Sequence, residues 1–142
     1  MEVINAASQP LDEWRHGVMT RMHISALTGA ERLCVFEQFC DPGKGAPTHI
    51  HTVEEVLTVL DGTAELWLDE VRATLTAGQS VVVPAGRKHG FRNIGPATLH
   101  VRAVLAAAIF EAWFDGETEA RRRWLPQPSS SSGSALCKTS SL

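Results

Sequence analysis

Short runs of β-forming residues, separated at close intervals by turns that contain glycine, dominate the middle of this chain. We predict strands over residues 17–25, 32–39, 48–51, 54–60, 63–69, 72–75, 80–84, 90–93 and 98–106. Asp, Asn or Pro usually accompanies the turn glycine, and the Asp61-Gly62 pair is a strong signal for a β-hairpin. Short strands with frequent turns are typical of an antiparallel sandwich or barrel, and they disfavour a parallel sheet with crossover helices.

The length of 142 residues fits one domain with its own apolar core. We expect an N-terminal arm over 1–16, a barrel over 17–115 and a possible short helix over 116–126. The arginine run at 121–123 is then expected on a solvated helix face. Residues 127–142 are rich in serine and bury too little apolar surface to offset the entropy of ordering, so we predict a disordered tail.

The composition of the chain argues against nucleic-acid and membrane partners. The net charge of −3 argues against a nucleic-acid or anionic membrane surface. No apolar stretch reaches the roughly 18 residues that a membrane-spanning helix needs, and the N-terminus does not resemble a secretory signal. The three cysteines, Cys34, Cys40 and Cys137, show no framework spacing, which favours a reducing cytoplasm. We expect Cys34 and Cys40 to be small core residues.

The strand predicted over 48–51 carries two histidines in alternate positions. Residues two apart on a strand point to one face, so His49 and His51 project together with backbones about 6.5 to 7 Å apart. Two such imidazoles can reach one ion at about 2.1 Å each. Glu55 has the same parity and could approach from the next strand, whereas Glu54 has the opposite parity and is the poorer candidate.

A third histidine follows the valine-rich strand predicted over 80–84. Pro84 and Gly86 form a turn that redirects the chain just before His89, and a barrel would let His89 approach from the facing strand. The predicted ligands are therefore His49, His51, Glu55 and His89. Such nitrogen and oxygen donors suit Fe(II), Mn(II), Ni(II), Co(II), Cu(II) or Zn(II) and disfavour Ca²⁺ or Mg²⁺. Four ligands leave coordination positions open, as a catalytic metal requires.

Both histidine-bearing stretches resemble the two signature motifs of the cupin superfamily, G-x5-H-x-H-x3,4-E-x6-G and G-x5-P-x-G-x2-H-x3-N. Every fixed position is filled here: Gly43, His49, His51, Glu55, Gly62, Gly78, Pro84, Gly86, His89 and Asn93. The resemblance covers residues 17–106 and is closest to small single-domain cupins. It implies an all-β jelly-roll barrel (the double-stranded β-helix), usually homodimeric, with the metal near one mouth.

The resemblance leaves the reaction open because this scaffold hosts unrelated chemistries. One hypothesis is a dioxygenase-like enzyme that binds dioxygen and a small oxygen-containing substrate, with Glu55 as ligand or base and Phe91 as pocket wall. Trp67 would join that wall if its parity faces inward. A second is a redox-neutral isomerase, lyase or cyclase in which the metal is a Lewis acid. It needs a second acid or base, for which the candidates of undetermined orientation are Arg21, His23, Glu37, Gln38 and His100.

A third hypothesis is a non-catalytic module that binds a small ligand. A DNA-binding role is not expected, because neither end of the chain has the length or the basic helix pair of a helix-turn-helix segment.

Overall fold

The computed structural model describes residues 1–128, which fold into two antiparallel β-sheets. The first sheet has the order β1-β2-β3-β10-β5-β8 and comprises β1 (Asp12–Arg15), β2 (Val18–Ile24), β3 (Cys34–Cys40), β5 (Glu55–Asp61), β8 (Ser80–Val83) and β10 (Leu99–Leu105). The second has the order β12-β11-β4-β9-β6-β7 and comprises β4 (Gly45–Ile50), β6 (Thr63–Leu68), β7 (Val71–Thr76), β9 (His89–Asn93), β11 (Phe110–Phe114) and β12 (Arg121–Arg123). Two short 3₁₀ turns, Ala6–Ser8 and Ala26–Thr28, lie beside the barrel.

The core lies between the sheets and follows the alternation of each strand. On β5, Leu57 and Val59 are buried while the residues between them face outward. Phe36 on β3 and Val101 on β10 complete the same layer. The predicted all-β jelly roll is therefore confirmed, and each predicted strand corresponds to an observed one within a few residues.

The predicted Asp61-Gly62 hairpin joins β5 to β6. Gly62 has a φ of 93°, which a residue with a side chain rarely adopts. A Cβ there would also lie 3.2 Å from the Cα of Leu99. The turn brings the second sheet back over the first directly after the strand that Glu55 opens.

The predicted boundaries at both ends of the barrel are wrong. Residues 12–15 of the expected 1–16 arm form strand β1, which pairs with β2 and places Trp14 in the core. The expected short helix over 116–126 is instead the turn after β11 and strand β12. Pairing with an existing sheet edge satisfies the backbone of 121–123 and overrides its helical tendency. Most of the predicted disordered tail, residues 129–142, lies outside the described residues.

Cys34 and Cys40 are fully buried free thiols, as expected of small core residues. Burial raises the pKa of each thiol to about 12, so both are protonated and unreactive at neutral pH. Within residues 1–128, no helix is both long and apolar enough to cross a membrane.

Candidate metal centre

Four polar side chains from three strands meet inside the barrel. His49 lies on β4 and His51 directly follows it, while Glu55 and His89 open β5 and β9. His49 and His89 are cross-strand partners. All four side chains are buried, with residue exposures between 2 and 6%. Glu54 is exposed to solvent, in keeping with its opposite parity.

Backbone carbonyls fix the orientation of all three imidazoles. The Nδ1 atom of His49 lies 2.6 Å from the Pro47 carbonyl oxygen. The Nδ1 atoms of His51 and His89 lie 2.8 Å and 2.9 Å from the carbonyl oxygens of Glu111 and Arg87. A carbonyl oxygen can only accept, so each Nδ1 carries the proton and donates it. In a neutral ring this leaves a lone pair on Nε2, which is how metal-binding histidines are oriented.

The remaining ring nitrogens converge on one point. One potential ligand atom from each of the three histidines lies within 4.8 Å of the others. The buried Nε2 atom of His51 has no hydrogen-bond partner among the described residues. A buried orphan nitrogen carries a substantial desolvation cost, which coordination to a cation would remove. His49, His51 and His89 thus form a possible metal site, and their donor set fits a divalent transition metal.

Glu55 lies at the edge of this histidine cluster. Its Oε1 atom is 3.0 Å from Nε2 of His89 and 3.8 Å from Nε2 of His51. Burial alone would raise the pKa of Glu55, but the hydrogen bond from His89 and the neighbouring imidazole charges lower it below its usual value. Conversely, the carboxylate outweighs burial and raises the pKa of His89. Ligation of a metal by Glu55 remains a prediction.

The other two histidines are neutral near pH 7. Burial, followed by the charges of His89 and His51, lowers the pKa of His49 to about 3. Burial also lowers the pKa of His51. Neutral imidazoles are the form that binds metal, so these two need lose no proton to become ligands. His89, which is paired with Glu55, would exchange its Nε2 proton for the ion.

Side chains and turns outside the cluster hold the histidines in place. The Gly86 N–H donates to the His51 carbonyl oxygen at 2.7 Å, which ties the turn before β9 to the end of β4. Phe114 stacks on the His49 ring with centroids 4.9 Å apart. Phe110 packs edge-on against His51 at 5.5 Å. Two side chains of strand β11 thus pack directly against two of the imidazoles.

A mainly apolar cavity adjoins the cluster. The space open to the centre of a water molecule is about 20 Å³, enough for roughly one or two waters. Besides His49, Glu55 and His89, its lining comprises Trp14, Arg15, Phe36, Gln38, Ala46, Leu57, Phe91, Ala103, Phe110 and Phe114. The sequence did not point to Arg15, Phe110 or Phe114. The alternation of buried Phe110, Ala112 and Phe114 is the signal that could have identified β11.

Of the two predicted wall residues, Phe91 lines this cavity and Trp67 does not. Trp67 follows the inward-facing Leu66, so it lies on the outer face of the second sheet. There its indole N–H donates to the Thr48 hydroxyl at 2.9 Å, and its ring covers Gly90. The parity of β6 therefore removes Trp67 from the site.

The candidates for a second acid or base divide between the two faces of the first sheet. Gln38 lines the cavity and donates to the Thr20 hydroxyl at 2.9 Å. The other four lie together on the outer face of that sheet, and we call them the outer-face cluster: Arg21, His23, Glu37 and His100. In it, the Glu37 carboxylate bonds the His23 and His100 rings at 2.5 and 2.6 Å. The outer-face cluster cannot reach the metal site through the sheet.

Comparison with known proteins supports the fold and the family. The family model described as "Cupin domain" matches residues 36–105. Auxin-binding protein 1 of Arabidopsis thaliana is 27% identical over 138 residues, which cover 86% of this chain and 70% of that protein.

Solved structures of low sequence identity share the fold. The polyketide cyclase RemF from Streptomyces resistomycificus superposes with a TM-score of 0.67 at 21% identity, covering 89% of this chain and 88% of that one. An RmlC-like cupin from Shewanella frigidimarina gives 0.66 at 22% identity, covering 76% and 93%. A mutant of Bacillus subtilis oxalate decarboxylase gives 0.70 at 17% identity, covering 78% of this chain and 31% of that one. The signature motifs, the jelly roll and the matching family model together show that residues 36–105 of this chain form a cupin domain.

Proposed function

We propose that this protein is a metal-dependent enzyme that acts on a small oxygen-containing substrate. The observation that carries the proposal is the set of three buried imidazoles, all oriented through Nδ1, with their free nitrogens beside Glu55 and next to an apolar cavity. A structural ion would need no adjoining cavity. His49, His51, His89 and Glu55 would hold the metal, which would supply a Lewis-acidic centre with open positions.

The residues around the centre have separable tasks. Phe36, Phe91 and Phe114 exclude water from the reacting groups. Glu55 is the carboxylate of the cavity wall among residues 1–128, so it is the group available to accept a substrate proton if it leaves the metal. Gln38 can orient a polar substrate atom through the part of its amide that Thr20 does not occupy.

Dioxygenase-like chemistry is our first candidate reaction. An apolar wall beside a site with open positions suits dioxygen and an enolisable or catecholic substrate. The lining of the cavity among the described residues includes no second carboxylate and no histidine beyond the predicted ligands. Oxygen chemistry of this kind needs no such group, because the substrate can lose its proton to Glu55.

A redox-neutral reaction is the second candidate, and the buried carboxylate of Glu55 in the cavity wall favours it. Once displaced from the metal by the substrate, Glu55 could move one proton between two substrate atoms while the metal polarises a carbonyl. The fold shared with a polyketide cyclase and an oxalate decarboxylase is compatible with this reading. The likeness to an auxin-binding protein supports the third, non-catalytic reading.

Oxygen uptake separates these readings. Protein loaded with Fe(II), Mn(II) or Zn(II) is incubated with a panel of diketones, flavonols and thiols in an oxygen electrode, and product is followed in parallel without oxygen. The proposal expects substrate-dependent oxygen uptake with Fe(II) or Mn(II), lost in Glu55→Gln. Anaerobic turnover with Zn(II) would assign the redox-neutral reaction. Saturable binding of panel compounds with turnover under neither condition would assign the ligand-binding module.

A homodimer in a reducing cytoplasm is also part of this proposal. Leu60 and Val82 are exposed apolar residues, 37 and 56% accessible, which a second subunit could cover. The buried free thiols of Cys34 and Cys40 are compatible with a reducing compartment. Light scattering should give a mass twice that of one chain, and a mass equal to one chain would contradict the dimer.

A further inference from the structure

Arg15 is a charged residue in the wall of an otherwise mainly apolar cavity. The pairing of β1 with β2 slips between Glu13 and Arg15, so the strand carries a bulge at this point. Regular alternation would send Trp14 and Arg15 to opposite faces, whereas both line the metal cavity. A bulge re-aims a side chain in this way. The end of β1 is therefore built to present a guanidinium to the cavity.

The charge of Arg15 has no counter-ion within residues 1–128. Its Nη1 donates to the Gly45 carbonyl oxygen at 3.0 Å, and its guanidinium carbon lies 5.5 Å from the centre of the Phe114 ring. No described carboxylate is within ion-pair distance of it, in contrast to the arginines on the outer surface. An arginine stays charged in any protein environment, and a half-buried charge is stabilised by an anion.

Two further arginines from β12 strengthen the positive potential. Arg121 lies over the same Phe114 ring at 5.5 Å, and Arg123 lies over Trp14 at 4.3 Å. Burial, with these two charges added to it, lowers the pKa of Arg15. Glu117 already holds Arg121 through two hydrogen bonds of 2.9 and 2.6 Å. Arg123 lines neither the metal cavity nor the groove beside it, so Arg15 is the guanidinium that a ligand in the cavity can engage.

Arg15 also lies where a ligand would enter. A surface groove of about 400 Å³ borders the cavity and shares Arg15 and Phe114 with it. Of the two carboxylates in that groove, Asp115 pairs with Lys88 at 3.3 Å and Glu117 with Arg121. Both acids are neutralised by partners of their own, so the groove leads an anion to Arg15.

We propose that Arg15 binds the carboxylate of the substrate, and that the substrate class is a small monocarboxylic acid. Its uncharged part would lie against Trp14, Phe36 and Phe114, between the guanidinium and the histidines. To do so it would have to widen the cavity, which by itself admits only one or two waters. A planar carboxylate matches the guanidinium fork, whereas a phosphate dianion would need a second free cation beside it. The proposal rests on the proposed function for the metal end of the substrate, while the Arg15 end can be tested without metal.

The test measures binding of paired acids and amides by titration calorimetry. Propionate and benzoate are compared with propionamide and benzamide, each against metal-free and Zn(II)-loaded protein. The variants are Arg15→Met, which keeps the apolar stem, Arg15→Lys, which keeps the charge, and Arg32→Met as control. Arg32 is exposed and outside the cavity lining, so its loss changes the net charge equally. Thermal unfolding and zinc content establish that each variant is folded.

We expect the acids to bind the metal-free protein at least about tenfold more tightly than the amides. Arg15→Met should abolish this preference, Arg15→Lys should retain part of it, and Arg32→Met should retain all of it. Unchanged acid affinity in a folded Arg15→Met, or equal affinity for acids and amides, would overturn the proposal even if zinc binds stoichiometrically. Tighter binding of inorganic phosphate than of either acid would overturn the carboxylate assignment. Failure of zinc binding alone would count against the proposed function and leave the Arg15 result standing.

Discussion

Replacing Asn93 by alanine should destabilise the barrel strongly without emptying the metal site. The side chain is 2% exposed and lies at the end of β9. Its Nδ2 donates to the carbonyl oxygens of Cys40 and Ala97 at 3.0 and 2.7 Å, and its Oδ1 accepts from the Gly95 N–H at 2.8 Å. With each bond contributing about 1 kcal/mol, and with buried groups left unpaired, the loss should be about 2 to 4 kcal/mol.

Urea unfolding followed by tryptophan fluorescence measures this loss as a change in the free energy of unfolding. The matched control is Asn5→Ala, since Asn5 caps an exposed 3₁₀ turn with one hydrogen bond and should cost about 1 kcal/mol or less. Zinc content of folded Asn93→Ala should equal that of the parent protein, because Asn93 contacts no predicted ligand. A loss below 1 kcal/mol, or one no larger than that of Asn5→Ala, would refute the assignment of a structural role to this motif residue.

Three further substitutions test other features of the fold. A Cβ at Gly45 would lie 2.1 Å from the Phe91 carbonyl oxygen, so Gly45→Ala should lower the free energy of unfolding in urea by about 3 kcal/mol or more. The control Gly95→Ala should lower it by about 1 kcal/mol or less, because the atom nearest to a Cβ at Gly95 is 3.5 Å away. Burial by itself would raise the pKa of Glu37, but the hydrogen bonds and charges of His23 and His100 outweigh burial, so the pKa lies below its usual value of 4.5. Its ionised form therefore stabilises the protein above that pH and the effect is lost on acidification, so Glu37→Gln should narrow the stability gap between pH 7 and pH 3; an unchanged gap would contradict this. Trp67→Phe should lower the free energy of unfolding by about 1 kcal/mol, because it removes one hydrogen bond, and it should leave the affinity for acids in calorimetry unaltered. Weakened acid binding would contradict the placement of Trp67 outside the cavity.

The parts of the fold that local signals specify were predictable. Strand parity correctly separated a buried Glu55 from an exposed Glu54, since alternation is a property of each strand by itself. The turn at Gly86 was also predictable, because glycine readily adopts its φ of 77° and residues with a side chain rarely do. These features place three histidines on one face of a barrel before any contact between strands is known.

The features that the sequence could not reveal depend on pairing between strands that are distant in the chain. No strand was predicted over 110–114, because five residues are too few for a clear period, and only the pairing of β11 with β4 places Phe114 on His49. Arg15 faces the cavity because of a bulge, which composition does not mark. The parity of Trp67 depended on the register of β6, and a shift of one residue would have reversed it.

Metal content per chain tests the central claim most directly. Parent protein, His51→Ala and the control His16→Ala are loaded with Zn(II), dialysed and measured by elemental analysis, with thermal unfolding to establish folding. His51 contributes the orphan Nε2 of the cluster, whereas His16 is exposed on a turn. We predict about one zinc per chain in the parent and in His16→Ala, and at least a tenfold lower content in folded His51→Ala. Equal zinc content in all three proteins would contradict a metal centre at these histidines.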